Sequence, residues 1–245
     1  MTGRNTKIQI DTPRRTAPFH TINGLIAALG FIVFGFEIEH GNALQAHTVG
    51  METTDARPDA ADTNPTLLAE MPPELVIGGE GTQITLRGHI APGDGARIAR
   101  TLAARRAQGT PVREVSMNST GGSLHEALMI GRMLRAAGVT TKLPADAICY
   151  SACPFMFAGG QDRIAATQGR FGVHQEHIDP ASSRDSAQTA ADVQQSTAQV
   201  MHYLAEMGVD LGLMEPTMAT PPDRIHVLSP LELARYHLTT SPRPS

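Results

Sequence analysis

The chain has 245 residues, a formal net charge of −4 and 18% charged residues, which excludes a strongly basic nucleic-acid binder and sets a prior of one domain or two. Its 41% hydrophobic content is ordinary for a globular protein, but aromatics are 4% and Trp is absent, so the core must come mainly from Ala, Leu, Ile, Val and Met. Two cysteines do not supply the roughly four ligands of a zinc site. A domain of this size needs no metal or disulfide framework for its stability, and no cofactor is implied.

Residues 1–20 form a polar, basic region, with Arg4, Lys7, Arg14 and Arg15 against Asp11. Residues 21–38 hold an apolar run from Ile22 to Phe36, after which Glu37 and Glu39 appear and no Lys or Arg until Arg57. Basic residues before the run and none just after it orient the N-terminus inward and send the rest across the membrane. The run is short for a spanning helix and long for a signal-peptide core. A cleaved signal peptide and a retained single-pass anchor both fit, and the basic flank argues against a buried core helix. Either way the remainder is expected in the periplasm or on the outer face of an inner membrane, attached to that membrane if the segment is uncleaved. Residues 39–70 read as a linker rich in Asp, Thr, Pro and Ala, and the folded domain is expected over 71–240.

Within that domain the elements alternate. Gln83–Arg87 has the period-2 pattern of a strand, and Asp94–Gln108 is an amphipathic helix stopped by Gly109-Thr110-Pro111. Arg113–Met117 is a strand. Ser123–Ala137 is a second amphipathic helix with Gly138 as its C-terminal cap. Short strands follow at 139–143 and 147–149, a buried helix starts near Pro154, a strand covers Arg170–His174, and a long helix runs from Ser186 to Met207. This order predicts an α/β fold with a mostly parallel sheet and covering helices.

Three features stand where strands give way to helices, the place where open α/β folds put their sites. In Asn118-Ser119-Thr120-Gly121-Gly122-Ser123 paired glycines let a backbone approach a ligand, and N–H groups at a helix start can hold an oxyanion or phosphate. A plain tight turn explains the same letters, and no Gly-Lys-Ser/Thr follows to make a phosphate loop. Ser151 heads the apolar stretch Ala152-Cys153-Pro154-Phe155-Met156-Phe157-Ala158; it reads as a hydroxyl projected into a cleft or as a helix N-cap. His174 ends the apolar strand Phe171-Gly172-Val173 and reads as a general base or as a structural imidazole.

Taken together, the three motifs resemble the proteolytic subunit of the Clp protease, ClpP, in the ClpP/crotonase superfamily. Asn118-Ser119-Thr120-Gly121-Gly122 is similar to that family's Asn-Ser-Pro-Gly-Gly, with Thr120 in place of proline. Ser151 falls on the nucleophile, Phe155 to Gly160 on the helix after it, and Val173-His174-Gln175 on the segment carrying the general base. The likeness covers about Ile84 to His174 and runs more loosely to Tyr236. It implies a ClpP/crotonase-like fold and a serine peptidase in which His174 takes the Ser151 proton, the N–H groups of Gly122 and Ala152 form the oxyanion hole, and an aspartate completes a triad. Asp223, in Asp223-Arg224-Ile225, is the best match for that aspartate, with the spacing off by about one residue; Asp179, Asp185 and Asp210 are alternatives. The long helix matches the element that pairs protomers in the family, so a homo-oligomer is plausible. Peptides or loosely folded segments are the implied substrates.

Cys149 and Cys153 bracket Ser151. They read as a disulfide of an oxidising compartment or as two small buried hydrophobes. Lys142 is the one lysine of the folded region, which leaves little material for the Ser–Lys dyad of some membrane-associated relatives. Two other functions compete: a catalytically silent module that binds peptides or partners, and a crotonase-type acyl-CoA enzyme, which relies on carboxylates near the glycines, where the sequence offers Glu126.

Overall fold

The structure, a computed structural model, describes residues 71–176 and 185–240. The expected N-terminal region, the apolar segment, the linker and Asp179 lie outside the described residues. Among the described residues no helix is long and apolar enough to cross a membrane.

The domain is α/β, with an eight-stranded, mostly parallel sheet and covering helices. Strands β1 (Val76–Gly78) and β2 (Gln83–Ile90) pair antiparallel. Helix α1 (Asp94–Ala107) crosses to β3 (Glu114–Gly122), which lies parallel to β2. Helix α2 (Leu124–Ala137), β4 (Thr140–Leu143), β5 (Ile148–Tyr150), α3 (Cys153–Ala158), β6 (Asp162–Ala165) and β7 (Arg170–Val173) follow. The long α4 (Ser186–Glu206), a 3-10 turn (Leu211–Leu213), α5 (Met214–Ala219), β8 (His226–Val227) and α6 (Pro230–Arg235) complete it.

The length of β3 divides the sheet. Its first half pairs with β4, which continues to β6, while Ser119 near its end pairs with Cys149 of β5, which continues to β7 and β8. All of these pairs are parallel except β7 with β8. The Asn-Ser-Thr-Gly-Gly motif, expected as a turn, belongs to β3 itself; the turn is reduced to Ser123, whose hydroxyl caps α2 by accepting from the Glu126 N–H at 3.3 Å. Strand geometry survives because the β2–β3 register shifts between Arg87 and His89, a bulge that absorbs one extra β3 residue.

β2 shows why the core forms. Ile84, Leu86 and Ile90 point inward at 1% exposure or less, while Gln83, Thr85, Arg87 and His89 point out. Aromatics are few but central: Phe157 meets Phe171 edge-on at 4.7 Å, and the buried Tyr203 of α4 donates its hydroxyl to the Phe155 carbonyl at 2.7 Å. Helices α2 and α3 touch at Gly131 and Gly159, where a Cβ on Gly159 would fall 2.5 Å from the Gly131 carbonyl carbon. Burial pushes the Tyr203 phenol well above its ordinary range, so it stays a neutral donor.

A buried arginine fastens the C-terminal segment. Arg163 of β6, 3% exposed, donates to the carbonyls of Leu238, Gly160, Met207 and His237 at 2.8 to 3.3 Å. Burial, and then the nearby Arg135, lower its pKa to about 10, so the guanidinium remains charged at neutral pH. Nearer the site, His226 of β8 meets Glu232 of α6 at 2.7 Å. Partial burial pushes the Glu232 carboxyl up, but hydrogen bonds from Ser229 and His226 outweigh it and hold the group below its usual value.

Candidate active site

Four parallel strands, β2, β3, β5 and β7, end side by side. In the β5–β7 register Cys149 faces Phe171 and Tyr150 faces Gly172, so Ser151 and His174 follow directly on neighbouring strand ends, which run about 5 Å apart. Both line one cavity of about 960 Å³, together with Thr120, Gly122 and Ala152. Phe155, Val193, Val200, Met214 and Met218 supply its apolar wall. Ser151 and His174 are both half-buried, neither sealed inside nor fully exposed.

Ser151 has φ of 60°, in the left-handed region that a non-glycine residue rarely adopts. Its N–H donates to the Gly172 carbonyl at 2.9 Å, which ties the strained residue to β7. The N-cap of α3 is Ala152, and no side chain caps that helix. The N-cap explanation of the serine therefore falls away: Ser151 lines the cavity, and its side chain caps no helix. Strain of this kind costs on the order of 1–3 kcal/mol and persists where the surroundings over-determine it.

Two features over-determine it. Cys149 and Cys153 are joined in a disulfide, with their Cα atoms 5.1 Å apart, so a covalent loop encloses Ser151. From the other side β3 presses on the same turn: a Cβ on Gly121 would lie 2.5 Å from the Ser151 Cβ and 2.8 Å from the Ala152 nitrogen. Gly121 and Gly122 have φ of 86° and 138°, so glycine is required there by conformation as well as by space. This contact sets the Gly122 backbone beside the start of α3, whose first-turn N–H groups have no partner one turn earlier in the helix.

Of the carboxylates, Glu176 lines the cavity and accepts from the Ser196 hydroxyl, while those expected from the sequence, and the lysine, fall elsewhere. Asp223 is exposed in the turn Pro221–Arg224, is not part of the cavity wall, and bonds none of the described residues. Asp185 caps α4, accepting from the Gln188 N–H at 2.7 Å, and Asp210 accepts from Gly212 N–H at 2.7 Å. Glu126 is buried and turned away, accepting from the N–H groups of Gly93 and Gly95 at 2.9 and 2.7 Å. Lys142 pairs with Glu114 at 2.6 Å, away from the cavity wall. Among the described residues no group of three or more His, Cys, Asp and Glu could hold a metal ion.

Sequence reasoning did not single out His89 and His125, which also line the cavity. His89 is the penultimate residue of β2, one before the buried Ile90. Its outward position was legible from the period of two, but its place beside the glycines depends on the β2–β3 register. No protein-family model and no curated protein matches the chain.

Proposed function

We propose that the chain is a serine peptidase of the ClpP-like type, working outside the cytoplasm on peptides or loosely folded segments. The observation that carries this reading is a left-handed serine on a strand end, with a histidine on the next strand end and one open cavity taking in both. The divided, mostly parallel sheet and the glycine pair against the serine turn agree with the motif resemblance.

In the proposed reaction the Ser151 Oγ–carbon bond forms at the substrate carbonyl while the hydroxyl proton passes to His174. The carbonyl electron pair moves onto oxygen, where the N–H groups of Gly122 and Ala152 receive it; one such donor is typically worth about 3 to 4 kcal/mol. The carbon–nitrogen bond then breaks, and His174 returns the proton to the departing amine. Water, deprotonated by His174, releases the acyl group and restores Ser151. The chemistry is assigned to the Ser151–His174 pair. Asp223, exposed and away from the cavity, is left with at most a remote electrostatic contribution.

The disulfide supports an oxidising compartment, where such bonds persist. Pairing of copies through α4 belongs to the same proposal, and the outer groove between α2 and α4, lined by Met129 and Met133, is a surface where it could occur. Glu126, occupied by two N–H groups, counts against the crotonase alternative. The placement of Asp223 favours one second reading, the catalytically silent binding module.

Labelling of the full chain with a fluorophosphonate probe, beside casein turnover, separates the two. The peptidase is expected to label and to cleave, with both signals lost in Ser151→Ala at unchanged melting temperature. An unlabelled, inactive wild-type chain with an intact fold would leave the silent module standing.

A further inference from the structure

Resting on the peptidase reading, we propose that His89 is a third donor to the oxyanion, acting beside the N–H groups of Gly122 and Ala152. The ends of β2, β3, β5 and β7 set His89, Gly122, Ser151 and His174 in one row across the sheet. The serine thus has an imidazole on each side: His174 one strand away, and His89 two strands away across the glycines. The His89 ring occupies the space that a side chain on Gly122 would fill, with Nε2 at 2.8 Å and Cε1 at 2.9 Å from a Cβ built there. It also lines the cavity.

The ring is held there by backbone rather than by bonds of its own. The His89 N–H donates to the Pro72 carbonyl at 2.8 Å, and the bulge between Arg87 and His89 brings this position level with Gly121. Bulges beside active sites re-aim side chains in this way. No described residue takes up the ring N–H, and imidazole carries one in either tautomer. A donor on a rigid strand, touching the residue whose backbone forms the oxyanion hole and uncommitted before substrate arrives, is preorganised for charge that develops in the transition state. His174 handles the proton; His89 meets the oxygen.

The test uses the full chain and the second-order rate of Ser151 modification by a fluorophosphonate. In that reaction the Oγ–phosphorus bond forms, fluoride leaves with its electron pair, the proton passes to His174, and the phosphoryl oxygen takes the oxyanion position. His89→Phe keeps a flat ring without a donor, and His89→Gln keeps a donor at a similar reach. His89 is exposed, so both variants should melt with the wild type. The expected result is labelling slowed at least about a hundredfold in His89→Phe, the range set by losing one oxyanion donor, and recovery to within about threefold in His89→Gln. Labelling of His89→Phe at the wild-type rate overturns the role of His89 and leaves the peptidase reading intact. Equal slowing in both variants overturns donation and makes the ring a packing element. Absence of labelling in the wild type overturns the peptidase reading and this proposal with it.

Discussion

The surroundings of Arg163 and the row of strand ends at Ser151 belong to one sheet and treat polar groups in opposite ways. Around Arg163 the N–H groups of a buried guanidinium meet four carbonyls drawn from three parts of the chain. At Ser151 the backbone is held in a costly conformation, and Ser151, Gly122 and His89 line a cavity. Saturated polar groups contribute stability because a lost partner leaves a desolvated one behind. Groups left facing a cavity contribute little to folding and are available to a substrate. The lesson is that these two kinds of site should respond to substitution along different axes.

The largest expected stability effect is at the saturated site. Arg163→Met leaves four buried carbonyls without their donor and should cost about 3 kcal/mol or more. For a domain of this size that corresponds to a fall in melting temperature of roughly 6–12 °C. Labelling of Ser151 per folded molecule should stay at the wild-type level. Unfolding in urea, scored beside probe labelling at 10 °C, checks both halves; a collapse of labelling in chains that remain folded would break the division between the two sites.

The disulfide lies between the extremes, being a stabilising link placed on the reactive turn. Cys149→Ala together with Cys153→Ala removes a loop so short that the chain-entropy model gives only about 2 kcal/mol. Activity should fall by about tenfold, because Ser151 loses one of the constraints that keep it left-handed. Denaturant midpoints and labelling rates on the same preparation sharpen the comparison. Equal labelling at a lowered midpoint would mean that Gly121, packed against the Ser151 turn, and the Ser151 N–H bond to Gly172 suffice to hold it.

Much of this was legible in the letters because local signals and tertiary packing agree. The strand at Gln83, the helices at Asp94 and Leu124, the strand at Arg170 and the helix at Ser186 lie within a few residues of their expected positions, since alternation, caps and apolar spacing all point the same way. β1, β6 and β8, of two to four residues, are too short to show a period and exist because a neighbouring strand offers a ladder. β3 runs past its expected end because Gly121 and Gly122 read as turn residues, whereas packing against the serine turn makes them strand. Ser151 and His174 were visible through their motifs. His89 was hidden because its neighbours come from β3, and register is not written in a single strand.

Asp223 is the smallest expected effect and the sharpest check on where the site ends. A buried triad aspartate changed to asparagine lowers kcat by roughly 10⁴-fold in serine proteases, because the histidine is then held in the wrong tautomer. Asp223 is exposed and outside the cavity wall, and the charge it carries is screened by water. Asp223→Asn should therefore leave kcat/KM for a peptide substrate within about threefold of wild type, under about 0.7 kcal/mol of transition-state stabilisation, and the melting temperature unchanged. Measuring the rate at low and at 0.5 M salt isolates the screened part: the small deficit of the variant should vanish at high salt, where wild type loses the same long-range contribution. A hundredfold fall that persists at high salt would mean that the turn at 221–224 closes on His174 when substrate is bound, and that the reactive row extends one carboxylate beyond the wall seen in this structure.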